Sequence, residues 1–204
     1  MMPAAEIRIL ALGDSYTIGE GVTTDERWPT QLAAMLRARA LQVAAPTIVA
    51  RTGWTTDELS AGIDDARPTG TYDLVTLLVG VNNQYRGRSV DEYRAQFRAL
   101  LARAIGFAGG RADRVIVLSI PDWGATPFAD GRYRARIALD IDAFNDANRG
   151  EAARVGARYV DVTPLSRRAA REHDLIGGDR LHPSPRMYAE WVRAMLPVVL
   201  AAMA

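Results

Sequence analysis

Short runs of branched apolar residues punctuate the chain: IRILAL at 7–12, TIVA at 47–50, LVTLLV at 74–79, RVIVLSI at 114–120 and ARYVDV at 157–162. Most are apolar with few interruptions, the pattern of strands covered on both faces as in a parallel sheet. Between them the spacing turns helical. Within 89–107, Val90, Tyr93, Phe97, Leu100, Leu101, Ala104 and Ile105 recur on one face, and Ser89 with Glu92 supplies a capping-box start. Residues 28–41 predict an earlier amphipathic helix, 132–155 a third with Ile137, Ile141 and Phe144 inward, and 186–203 a last one. Ser184 and Pro185 precede it as N-cap and first-turn proline. Strand and helix alternate about five times, which predicts an α/β protein: a three-layer α/β/α sandwich on a parallel sheet of about five strands.

No internal repeat, low-complexity segment or linker breaks this alternation. A length of 204 residues is short for two ordinary cores, so a single domain over residues 1–204 is expected. In open sheets of this kind the ligand crevice lies outside the carboxyl ends of the strands. Three loops then matter most: GDSYTIGEG after the first strand, RTGWTTDEL after the second and GVNNQYRG after the third. In the common doubly wound order the first strand lies between the second and third, which brings these loops to one edge.

Composition narrows the chemistry. Hydrophobic residues make up 49% and charged residues 24%, the balance of a globular protein that can bury a core. The formal net charge is +1, and the 25 basic residues, all arginine, are dispersed among 24 acids. That distribution is not a nucleic-acid footprint. Cysteine is absent, which excludes disulfides, thiolate catalysis and cysteine metal sites; with two histidines a histidine-rich metal site is not expected either. No stretch approaches the roughly 18 apolar residues of a membrane span. The N-terminal MMPAAEIRILALGDS lacks the basic start and long apolar core of a signal peptide, so a cytoplasmic location is expected.

Ser15, hedged by Gly13 and Asp14, is open to three readings. A phosphate cradle fails, because a P-loop ends in Gly-Lys-Ser/Thr and the chain has no lysine; a dinucleotide fingerprint fails for want of a second glycine two positions on. A helix cap by Asp14 or Ser15 and a nucleophilic serine both remain. A nucleophile needs a base, an orienting group and oxyanion donors. His182 sits in GGDRLHPSP with Asp179 three residues earlier, a spacing that lets one turn hold carboxylate and imidazole together. His173, in RREHDL, reads as a surface residue. Gly53 can present an N–H without a side chain in the way. Asn82 can offer a side-chain amide, whereas Asn83 reads as turn-forming.

Together these blocks resemble the SGNH hydrolases of the GDSL esterase and lipase superfamily: GDSYTIGEG with Ser15, RTGWTT with Gly53, GVNNQ with Asn82, and DRLH with Asp179 and His182. Tyr16 replaces the leucine of GDSL, and GVNN stands where GxND is frequent. The resemblance implies a flavodoxin-like sandwich in which Ser15 is the nucleophile, His182 the base and then acid, and Asp179 its orienting partner. The oxyanion donors would be the Ser15 and Gly53 N–H groups and the Asn82 amide. No metal or organic cofactor is implied. The partner is a small-molecule ester, and the oligomeric state is not specified.

Asp14, Tyr85, Arg86, Trp123 and Phe128 are expected to contact substrate, with Trp123, Phe128 and Tyr133 walling a pocket and Arg86 selecting an anionic ester. No long apolar insertion is visible to cover a lipid tail, so a short-chain carboxylic ester is the expected substrate. Two other functions use the same residues or fold: acyl transfer to an alcohol or sugar, and ligand binding without catalysis.

Overall fold

The computed structural model describes residues 6–203; residues 1–5 of the N-terminal stretch considered above for targeting lie outside it. Five parallel strands, β1 (Ile9–Gly13), β2 (Thr47–Ala50), β3 (Leu74–Leu78), β4 (Val115–Leu118) and β5 (Arg158–Val160), form one sheet in the order β2-β1-β3-β4-β5. The first strand therefore sits between the second and third. Register pairs Leu12 with Val49 on one side and with Leu77 on the other. Every residue of β1, β3 and β4 is buried, which is why their sequence runs lack polar alternation.

Among the described residues there are eight α-helices, α1 (Ser15–Ile18), α2 (Trp28–Arg37), α3 (Thr56–Ala66), α4 (Val81–Tyr85), α5 (Val90–Phe107) and α6 (Arg134–Val155) between the strands, then α7 (Thr163–Arg167) and α8 (Pro185–Met203) after the last. Helices α2 and α8 pack on each other over one face of the sheet, while α3, α5 and α6 cover the other. Helix α5 buries Tyr93, Phe97, Leu100, Leu101 and Ala104, with Val90 and Ile105 only partly covered at the margins of the face. A buried side chain such as Phe97 is worth about 2–3 kcal/mol relative to exposure. Ser184 Oγ accepts from Met187 N–H at 3.3 Å as predicted; at α5 Ser89 Oγ accepts from Glu92 N–H at 3.2 Å, but the Glu92 carboxylate accepts from Arg88 and Gln96 instead of the Ser89 N–H, so the N-cap forms without the full capping box.

The short helices α1, α4 and α7 were not foreseen from sequence, and two longer ones differ from the sequence reading. Helix α2 stops at Arg37 rather than 41, because the chain turns through Ala40 in a left-handed conformation (φ 61°). Helix α3 carries few apolar residues, with Leu59 and Ile63 its only large buried ones. Its Gly62 lies beneath the Trp54 indole, where a Cβ would overlap the ring. Among the described residues no helix is long and apolar enough to cross a membrane.

Candidate active site

The site is assembled at the carboxyl ends of β1, β2 and β3. Where β1 ends, Asp14 takes an extended conformation and its Oδ1 accepts the Tyr16 N–H at 3.1 Å, capping α1. Ser15 is thereby the first residue of a short helix, where a backbone N–H has no intrahelical acceptor. The Trp28 indole, fully buried, donates to Tyr16 O at 3.1 Å and braces α1. Asp14 is 1% exposed, does not line the cavity described below, and serves as the cap; burial keeps it from reaching a substrate. Its Oδ2 has no hydrogen-bond partner among the described residues. Burial pushes the carboxyl up to about 7, against the opposing pull of the Tyr16, Gly80 and Asp14 backbone N–H groups.

His182 rides on a small hairpin before α8. An antiparallel bridge joins Ile176 and Pro183, Gly177 N–H donates to His182 O at 2.7 Å, and Arg180 turns the tip with φ 66°. The turn folds Asp179 back: its Oδ1 accepts the backbone N–H groups of Leu181 and His182 at 3.0 and 2.9 Å, and its Oδ2 lies 2.5 Å from His182 Nδ1. Burial opposes charge on Asp179, but the His182 side chain and these backbone donors outweigh it and hold the carboxyl below its ordinary value. An ionised carboxylate on Nδ1 fixes the proton there and leaves Nε2 with its lone pair. The Tyr16 ring meets the imidazole edge-on at 5.6 Å.

Ser15, Gly53, Asn82 and His182 all line one open cavity. Gly53 has φ 86°, a conformation L side chains rarely adopt. Asn82, at the start of α4, donates from Nδ2 to Trp54 O at 2.9 Å. One amide proton thus fixes the rotamer and the second is left for the cavity. Asn83 does more than turn the chain: it is fully buried, accepts Thr56 N–H at 3.1 Å and donates to Thr56 Oγ1 at 2.7 Å, tying α4 to the start of α3.

The aromatic wall comprises Tyr85, Trp123 and Phe128, which line the cavity with ring centroids 5.4–6.5 Å apart. Trp123 Nε1 donates to Gln84 Oε1 at 2.8 Å. Phe128 N–H donates to Arg180 O at 3.0 Å, so the wall and the His182 hairpin are joined. Tyr133 is 81% exposed and stands outside this wall. Arg86 is likewise absent from the lining: its guanidinium is held by Gly53 O at 2.7 Å and Glu58 Oε1 at 3.1 Å, so it braces the Gly53 loop instead of meeting substrate. Sequence reasoning passed over Tyr16, Thr52, Val81 and Leu181 as cavity residues; each is the immediate neighbour of a residue it did name. His173 lies apart, on a different surface depression. Among the described residues no group of three or more acidic or histidine side chains is arranged to hold a metal ion.

A parallel sheet in this order between two helical layers, with the chemistry-bearing loops at its carboxyl edge, is the α/β/α architecture of the SGNH hydrolases. The family itself follows from the sequence: residues 11–190 match the GDSL-like Lipase/Acylhydrolase family, and the chain belongs to it. No curated protein matches the chain in sequence. Among solved structures it is similar in fold to TesA, at 17% identity over 96% of this chain and 99% of that one, with a TM-score of 0.74. Axe2, an acetylxylan esterase from Geobacillus stearothermophilus, is similar at 18% identity, 98% and 96% coverage and a TM-score of 0.73. A lipolytic protein of the G-D-S-L family from Veillonella parvula gives 20% identity, 95% and 98% coverage and a TM-score of 0.72.

Proposed function

We propose that the protein is a serine hydrolase that cleaves carboxylic esters of short acyl chains through an acyl-enzyme on Ser15. The observation that carries this reading is the Asp179–His182 pair opening onto the same cavity as Ser15, Gly53 and Asn82. His182 Nε2 takes the proton of Ser15 Oγ as the oxygen attacks the ester carbonyl. Negative charge gathers on the former carbonyl oxygen, where the N–H groups of Ser15 and Gly53 and the free Asn82 amide proton receive it. The protonated His182 then donates to the departing alkoxide, releasing the alcohol and leaving the acyl group on Ser15. Water attacks the acyl-enzyme with His182 again as base, and collapse of the second intermediate frees the acid and restores Ser15.

The wall of Tyr85, Trp123 and Phe128 closes one side of the cavity and favours a compact group over an extended lipid tail. The membership in a family of lipases and acylhydrolases supports ester chemistry. The test is hydrolysis of p-nitrophenyl esters from acetate to dodecanoate by the wild type and by Ser15→Ala, with circular dichroism on both. Activity greatest on short chains and lost in the folded variant is expected. Activity that survives Ser15→Ala would overturn the nucleophile assignment, and a preference for long chains would overturn the substrate class.

A further inference from the structure

Arg132 lies in the loop between β4 and α6, with its guanidinium carbon 5.2 Å from the ring centroid of Phe128, 5.4 Å from Trp123 and 5.5 Å from Tyr85. These are the three rings of the cavity wall. Tyr85 and Phe128 are 49% and 39% exposed, so the wall reaches the surface at the mouth; Arg132, itself exposed, is not a lining residue and stands against those rings from outside the cavity.

The neighbouring arginines are all occupied by carboxylates. Arg86 holds Glu58, while Arg134 and Arg180 share Asp130 at 2.6 and 3.0 Å. Arg132 has no carboxylate partner among the described residues; its side chain makes one long hydrogen bond, from Nη2 to Tyr85 Oη at 3.4 Å. Cation–π contact with the rings does not use up the guanidinium N–H groups, and apart from the long bond to Tyr85 they are left for a second partner. Their fork matches the oxygens of a carboxylate or phosphate, and the apolar wall beneath it strengthens the attraction.

We propose that Arg132 is a specificity residue that receives an anionic group, carboxylate or phosphate, on a substrate whose ester carbonyl is at Ser15. The inference rests on the ester-hydrolase reading and adds the charge of the substrate to it. The anion selection that sequence spacing suggested for Arg86 thus falls to Arg132, since Arg86 is committed to Gly53 and Glu58.

The test compares kcat/KM within matched pairs for the wild type and Arg132→Gln, which keeps most of the side chain and removes the charge. The pairs are 4-acetoxybenzoate against 4-acetoxybenzamide, 4-acetoxyphenyl phosphate against phenyl acetate, and 4-nitrophenyl hydrogen succinate against 4-nitrophenyl butyrate. They separate carboxylate from phosphate and the alcohol side from the acyl side. In at least one pair the wild type should favour the anion by about tenfold or more at low ionic strength, and added salt should shrink the preference. Arg132→Gln should abolish it while leaving the neutral ester within about twofold. Equal rates within every pair, or a variant that loses both members of a pair alike through disturbed ring packing, would overturn the proposal. Failure to cleave the neutral esters at all would instead overturn the ester-hydrolase reading, and this inference with it.

Discussion

Asp14 offers the sharpest physical test of how the serine-bearing turn is built. The residue is 1% exposed, its Oδ1 accepts one backbone N–H, and its Oδ2 has no hydrogen-bond partner among the described residues. Burial raises its pKa from 3.8 to about 7. A raised carboxyl binds its proton more tightly in the folded chain than in the unfolded one, so its contribution to stability is full below pH 3.8 and is lost as pH rises towards 7. Each pH unit well inside that window removes about 1.4 kcal/mol; from pH 5 to pH 7, where the group is half-titrated, the loss is about 2 kcal/mol, and to pH 8 it approaches about 3 kcal/mol. Asp14→Asn keeps an acceptor for the Tyr16 N–H and cannot ionise. Urea unfolding followed by the fluorescence of the four tryptophans, run at pH 5, 6, 7 and 8, should show the wild type losing about 3 kcal/mol more than the variant across the range. Other titrating groups are common to both proteins and cancel in the difference. Parallel pH profiles would refute the reasoning and show that Asp14 is ionised, with its charge met by its backbone donors.

Three further outcomes are expected. Asn82→Ala should lower kcat about 100- to 1,000-fold with little change in the unfolding midpoint if its amide serves the oxyanion; unfolding instead would make its bond to Trp54 the main role. Arg86→Ala releases the Gly53 carbonyl, and a fall in kcat of roughly tenfold with KM nearly constant, partly restored in Arg86→Lys, would mark it as a positioning residue. Glu151, 4% exposed, is held down to about 2 first by its hydrogen bonds from Arg98, against burial, and then by Arg154. Such a depressed carboxyl stabilises above pH 4.5 and ceases to as pH falls towards 2. Glu151→Gln should therefore cost about 1–2 kcal/mol at pH 7, given half-exposed arginine partners, and the difference should vanish near pH 2.

The layers of the fold were legible because burial on both faces leaves an unbroken apolar signature. The five runs lie over β1 to β5 with end shifts of no more than two residues, and the placement of β1 between β2 and β3 follows from the doubly wound rule. Helix α3 escaped for a physical reason: its tightest contact is made by the absence of a side chain at Gly62, which no hydrophobic pattern can register. Helix α6 hid part of its inward face in the same way. Asn145 and Asn148 are buried there, Asn145 bonding both polar groups of the Ile120 backbone and Asn148 accepting from the Tyr93 hydroxyl. Polar residues inside a core are predictable only once their partners are known.

At the site, sequence spacing carried the local pairings and missed the distant ones. Asp179 and His182 meet because three residues separate them and one turn joins them. Arg86 and Gly53 are 33 residues apart, and no spacing rule links a guanidinium to that particular carbonyl. The same limit explains Arg132. In sequence it is one arginine among 25 dispersed ones, and only the folded loop sets it over three rings drawn from two separate strand-to-helix connections. What differs among these arginines is not their chemistry but the presence of a carboxylate within reach. Arg86, Arg134 and Arg180 each have one and act on the protein's own loops; Arg132 lacks one among the described residues. A cation left over after the internal pairs are made, at the mouth of an apolar cavity, is where charge on a substrate would be read.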